Sequence, residues 1–194
     1  MVNPLDHPLF QRVSHWINLV NFLVLGVTGW FIHSPFPGMP MSLIRSLHFI
    51  FMNFLMINGI VRFYYSFFGK YSDYKDILFN TQDLKTIWPQ IKYYLFIGPH
   101  PKVGKYNPLQ KIAYISLPIL TVAQAITGAI LYKPEQLSTL ASYFGGLAAV
   151  RGLHYVFMWL FIAIVGIHLY LVFTAAYDQF LFMFFGKIRN EKGI

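Results

Sequence analysis

Imidazoles ligate metals and carry protons, and this chain sets four of them in or beside long apolar runs. His154 and His168 stand fourteen positions apart in a stretch otherwise built of Tyr, Val, Phe, Met, Trp, Leu, Ile, Ala and Gly. Fourteen helical steps return the second imidazole to nearly the same face, about 21 Å further along the axis. His15 opens the first long apolar run and His48 opens the second. An ionisable side chain inside an apolar span is costly and is a functional hypothesis by default. Runs that cross a bilayer in alternating directions match these four by depth, His48 with His154 and His15 with His168. Two bis-imidazole metal centres, one near each membrane surface, require that pairing. The fourteen-residue spacing is wrong for a compact tetrahedral zinc site.

Three of the four histidines follow an arginine at one offset: Arg12-Val-Ser-His15, Arg45-Ser-Leu-His48 and Arg151-Gly-Leu-His154. Positions i and i+3 share a helix face, and a cation at a helix start opposes the macrodipole. A haem propionate would compensate, because guanidinium pairs well with carboxylate. A lone arginine there reads as a span marker snorkelling to headgroups, and a lone imidazole as a bond to a neighbouring helix. Three arginines at one spacing beside depth-matched histidines favour haem. Cysteine is absent, which excludes disulfides, iron–sulfur ligation and haem attached through Cys-x-x-Cys-His. Iron held by two histidines has no open position, so such haems pass electrons rather than activate oxygen or substrate. His7, His33 and His100 read as surface residues. Gly26, Gly29, Gly59, Gly128 and Gly166 would let flat rings approach the helices, and are equally typical of helix–helix contacts.

The elements that must position these groups are membrane helices. The 194 residues are 56% hydrophobic and 19% aromatic with only 11% charged, against roughly a quarter charged in a soluble domain. Runs at about 13–32, 44–67, 111–132 and 152–175 are each near the roughly 20 residues a span requires. Helices are the economical way to pair their backbone groups in lipid. The expectation is an all-α membrane protein, a four-helix bundle forming one integral domain over 1–194, with Pro118 a point where the third helix can kink. The net charge of +8 is not a nucleic-acid signal, because the basic residues collect between apolar runs. They gather before span one, between spans two and three and after span four, where Lys187, Arg189 and Lys192 lie. The other two loops hold only Arg45, Lys133 and Arg151. The positive-inside rule then puts both termini and the central loop in the cytoplasm. The start, Met-Val-Asn-Pro-Leu-Asp-His, lacks a signal peptide's basic n-region and cleavage site, so the first run is expected to stay as a span. Residues 83–97 of the central loop and the aromatic tail 177–185 read as helices lying at the interface.

These residues carry a resemblance. Arg12-Val-Ser-His15-Trp16, Arg45-Ser-Leu-His48, the Lys105-Tyr106-Asn107-Pro108-Leu109-Gln110-Lys111 entry to span three, and Arg151-Gly-Leu-His154 with His168 are similar to the cytochrome b subunits of respiratory NiFe hydrogenases. That group is itself similar to the gamma subunits of membrane formate dehydrogenases. The resemblance implies two non-covalent b haems, His48 and His154 holding the outer one, His15 and His168 the inner. It also implies electrons entering from an extracytoplasmic hydrogenase, made of small and large subunits, and leaving to menaquinone or ubiquinone. Asn107 and Gln110 stand where relatives place polar quinone contacts, and Lys111 could help supply a proton. Asn107-Pro108 also reads as a plain helix start, Asn as N-cap and Pro in the first turn. The Gly that some relatives carry after the Asn is replaced here by Pro108-Leu109.

The expected function is therefore a di-haem anchor in a bacterial or archaeal cytoplasmic membrane, carrying electrons between a hydrogenase and the quinone pool. Any redox chemistry comes from its cofactors. A formate dehydrogenase, thiosulfate reductase or related molybdenum enzyme as partner is the alternative. A haem-free proton-relay transporter is a third reading; it calls for carboxylates within the spans, and Asp and Glu lie only in loops and tails.

Overall fold

A computed structural model describes residues 7–186. The reading of the first six residues as an uncleaved start, and of Lys187, Arg189 and Lys192 as inner-side cations, lies outside the described residues. Regular structure among the described residues is entirely helical: α1 (Leu9–His33), α2 (Met41–Phe68), α3 (Tyr74–Ile77), α4 (Thr81–Tyr94), α5 (Pro108–Tyr132), α6 (Ser138–Tyr143), α7 (Leu147–Ala175) and α8 (Tyr177–Phe185).

Helices α1, α2, α5 and α7 are the four long and apolar enough to cross a membrane. Each begins three to five residues before the apolar run that announced it, and at α5 the first turn is set by capping rather than by hydropathy. Asn107 and Gln110 form a reciprocal pair at the start of α5, the Gln110 N–H donating to Asn107 Oδ1 and the Asn107 N–H to Gln110 Oε1, both at 3.0 Å. Pro108 sits at the first helical position, where a missing N–H costs nothing. α5 runs through Pro118 as one helix.

The expected interfacial helices are α4 and α8. α4 starts two residues earlier than its apolar pattern, at a capping box in which Asn80 and Asp83 exchange bonds of 3.0 and 2.7 Å. It stops at Tyr94, with Phe96 at positive φ just beyond. α8 has the bounds expected for the tail and closes on Gly186 in the left-handed region. The short helices α3 and α6 are additions that no periodicity announced.

Seven apolar side chains, Pro108 included, are buried among the described residues, against twelve polar or charged ones. The best window of α7 has a hydropathy of 2.4, yet none of it is buried within the protein. Apolar surface turned outward and polar groups turned inward is the arrangement lipid favours.

The chain forms two compact units. One, within Met1–Trp16, Ile60–Ile115 and Gly166–Ile194, is organised on Asp73, which is 1% exposed. Its carboxylate accepts from Arg62 at 2.7 and 3.3 Å, Ser66 at 2.6 Å, Gln11 at 3.1 Å and Tyr106 at 3.2 Å. Starting from a loop, Asp73 thus ties the first turns of α1 to the last turns of α2 and to the approach to α5. The other unit, Ile17–Gly59 with Ser116–Val165, has its small apolar core at Ile130, Ala141 and Val150.

Candidate functional site

The four span histidines fall into two pairs, one in each unit. His48 of α2 and His154 of α7 have ring centroids 6.4 Å apart with planes at 64°. His15 of α1 and His168 of α7 have centroids 6.0 Å apart with planes at 59°. Two imidazoles that share one metal at about 2 Å per nitrogen stand with their centroids roughly 6 Å apart. Both pairs therefore fit a single iron between two rings. Among the described residues, no group of three or more His, Cys, Asp or Glu side chains gathers as a cage for a free metal ion.

Each ring of the 48/154 pair is held from behind. Thr28 Oγ1 of α1 lies 2.8 Å from His48 Nδ1, and Thr127 Oγ1 of α5 lies 2.8 Å from His154 Nδ1. Both hydroxyls also donate to the carbonyl four residues back, Val24 at 2.6 Å and Ala123 at 2.8 Å. The glycine that follows each threonine leaves room for the ring. A Cβ at Gly29 would meet His48 Cε1 at 3.4 Å, and one at Gly128 would meet His154 Cε1 at 3.3 Å. The other glycines singled out in the sequence, Gly26, Gly59 and Gly166, would meet nothing within 4 Å.

The 15/168 pair sits among aromatic rings. Trp16 stands edge-on to His15 at 5.4 Å and to Phe184 of α8 at 5.2 Å. Its indole N–H donates to the Met183 carbonyl at 3.1 Å. Arg12 reaches the same end of α8, Nε donating to the Met183 carbonyl at 3.1 Å and a terminal nitrogen to the Phe184 carbonyl at 3.4 Å.

The three arginines expected beside the histidines thus differ in circumstance. Arg12 is bound to α8. Arg45 and Arg151 are exposed, Arg45 bordering a surface hollow with Ser46, Phe49, Ile50 and Tyr132. His33 is stacked on Tyr155 at 3.9 Å, while His100 meets Tyr93 edge-on at 4.6 Å.

The expected quinone contacts come together at the start of α5. Besides its capping bonds, Asn107 donates from its carboxamide to the Tyr94 hydroxyl at 2.7 Å. Lys111 is 6% exposed, donating to Asp83 at 2.9 Å and to the Leu78 carbonyl at 3.1 Å. Burial opposes ionisation of Asp83, but the bonds from Lys111 and the Asn80 N–H outweigh it and hold the carboxyl below its ordinary range. Burial likewise pushes Asp73 up, and the bonds from Arg62, Ser66 and Tyr106 more than reverse it. The Tyr106 hydroxyl is driven far up, first by burial and then by the neighbouring Tyr114 and Asp73. The residues that motif reading missed are Thr28, Thr127 and Asp73. Only the twofold occurrence of Thr-Gly, at 28–29 and 127–128, hinted at the first two.

Comparison with known proteins shows the family. The chain is 30% identical, over 82% of its own length and 76% of the relative's, to a protein of Azotobacter chroococcum mcd 1 named as a Ni/Fe-hydrogenase B-type cytochrome subunit. It is 26% identical to the Ni/Fe-hydrogenase 1 B-type cytochrome subunit of Escherichia coli K12, over 98% of this chain and 97% of that one. It is 28% identical, over 86% and 89%, to an Azospira oryzae protein named as the YedZ1 subunit of a protein-methionine-sulfoxide reductase. A family model described as prokaryotic cytochrome b561 matches residues 6–186, and the chain belongs to that family of b-type cytochromes.

Proposed function

We propose that this chain is the di-haem b subunit that anchors a NiFe hydrogenase to the cytoplasmic membrane and carries electrons between it and the quinone pool. The observation that carries the reading is the pair of histidine pairs, each spaced for one iron. His48 and His154 would hold the outer haem, His15 and His168 the inner. Haem bound in this way takes up and releases single electrons without opening a position for substrate.

The chain's own residues do the rest. Imidazoles from α1, α2 and α7 supply the ligands. Arg45 and Arg151, exposed and three positions before His48 and His154, would pair with propionates. Both termini face the cytoplasm, by the distribution of Lys and Arg. Quinone is reduced near that side, at the start of α5, where capping already orders Asn107 and Gln110. We assign Lys111 to holding α4 against α5.

The test is spectroscopic. The dithionite-reduced protein should show b-type bands at two haems per chain, and His154→Ala and His168→Ala should each remove a different one. A colourless protein, or one whose haem content neither substitution changes, would overturn the reading.

The similarity to the YedZ1 subunit supports a second reading, in which the same two-haem chain serves a reductase of that kind. The subunit that co-purifies from the native membrane separates the two.

A further inference from the structure

Thr28-Gly29 on α1 and Thr127-Gly128 on α5 make the same approach to two different histidines. In each case a hydroxyl lies 2.8 Å from Nδ1, and the following glycine leaves the ring edge a gap of 3.4 or 3.3 Å to an added Cβ. The dipeptide occurs at these two places only in the whole sequence. Helical threonines commonly turn their hydroxyl back on the carbonyl four residues earlier. Thr121 does so at 2.8 Å, to Leu117. Thr28 and Thr127 make that back-bond and face an imidazole as well.

A hydroxyl has one proton and two lone pairs. With the proton on Val24 O or Ala123 O, at 2.6 and 2.8 Å, the oxygen can only accept from the ring, so each histidine carries its proton on Nδ1. The opposite arrangement would turn a lone pair toward a carbonyl 2.6 Å away and would place the ring proton on Nε2, closing that nitrogen to a metal. The backbone of one helix thereby fixes the tautomer of a histidine on the next through a threonine hydroxyl, and at His48 the Leu25 carbonyl is a second acceptor that favours the same tautomer.

We infer that Thr28 and Thr127 are positioning residues that lock His48 and His154 as Nδ1–H tautomers, turn Nε2 to the iron and set the angle between the two ring planes. The inference rests on the di-haem reading above. A ligand imidazole that donates its outer N–H is a stronger electron donor and is held in one orientation. Better donation favours the ferric state, so the hydroxyls lower the potential of the haem between His48 and His154.

The experiment uses the full-length chain in detergent, with haem content, haem-binding titration of the apoprotein, potentiometry and low-spin ferric EPR as readouts. Thr28→Val and Thr127→Val keep the shape and remove the acceptor. Each should weaken outer-haem binding about ten- to a hundred-fold, raise that haem's midpoint potential and shift its EPR anisotropy, which reports the angle between the ligand planes. The inner haem should be unchanged. Thr28→Ser and Thr127→Ser restore the hydroxyl and should behave as the unsubstituted protein, and Thr121→Val should change nothing. Valine variants with unchanged outer-haem affinity, potential and EPR overturn the inference. So do serine variants that lose the outer haem as the valine variants do, because then bulk and not the hydroxyl matters. The haem count of the unsubstituted chain and the loss in His154→Ala judge the di-haem reading separately.

Discussion

Arg12 donates to the main-chain carbonyl of Met183, 171 residues further along the chain. The last carbonyls of a helix have no partner within it, and a cation there also meets the negative end of the macrodipole. Trp16 binds the same carbonyl, and Arg12 lies 5.3 Å from the Phe182 ring. Arg12 is therefore the clasp of α8. Charge-assisted bonds of this kind contribute about 1.5 kcal/mol or more, near tenfold in an opening equilibrium. Arg12→Ala should speed amide exchange across residues 177–186 by about that factor, and Arg12→Lys should recover only part of it because an ammonium cannot span two carbonyls from a planar fork. Unchanged exchange in Arg12→Ala would remove this role.

Asp73 gives a pH dependence of known sign. Its folded pKa lies below the ordinary value, since the bonds from Arg62, Ser66 and Tyr106 outweigh the opposing effect of burial. The stabilisation is then complete above the unfolded carboxylate value of about 3.9 and is lost as pH falls through the lower folded value. Asp73→Asn should cost about 3 kcal/mol at neutral pH, the scale for breaking a buried ion pair. It should also flatten the fall in stability below about pH 4. SDS-denaturation midpoints measured across that range provide the check, and a variant that keeps the parent's acid limb would exclude Asp73 as its source.

The spans and the four histidines were legible because lipid imposes its pattern on sequence directly: long apolar runs, and imidazoles that stand out within them. The first turns of the helices were not. Gln11 and Asn107 are polar and buried, so hydropathy leaves out the turns that capping and buried bonds put in. Arg12 looked like Arg45 and Arg151 because offset from a histidine was the only signal, and the return of α8 to α1 is a tertiary fact. Asp73 counted only among the carboxylates that lie in loops, for the same reason. A helical threonine carries no mark either, since its back-bond is ordinary, and the partner that distinguishes Thr28 from Thr121 sits on another helix.

Gly128 and Gly29 should respond to alanine in graded fashion. A Cβ at 128 would stand 3.3 Å from His154 Cε1, closer than ordinary van der Waals contact, while one at 29 would stand 3.4 Å from His48 Cε1 and 3.6 Å from the Met158 sulfur. Met is flexible and gives way, and an imidazole fixed by a metal does not. Gly128→Ala should therefore perturb the outer haem's EPR more than Gly29→Ala, and Gly128→Val should abolish its binding with the inner haem intact. Full outer-haem content in Gly128→Val would show that the ring does not need this gap.

Lys111 and Asp83 form an ion pair whose side chains are 8% and 10% exposed, and their double substitution separates fold from chemistry. Lys111→Met alone leaves a buried carboxylate without its cation and should destabilise the protein by about 3 kcal/mol. Replacing both groups with apolar side chains removes the unpaired charge, and buried pairs exchanged in this way are often neutral in stability. Asp83 has a second duty, since its carboxylate also accepts the Asn80 N–H at 2.7 Å in the capping box of α4. Lys111→Met/Asp83→Leu should therefore recover all but about 1 kcal/mol, the worth of a helix cap. If Lys111 serves the fold, this restored variant should also retain quinone reduction with the haems loaded. A variant as stable as the parent that no longer reduces quinone would give Lys111 a chemical role at the start of α5.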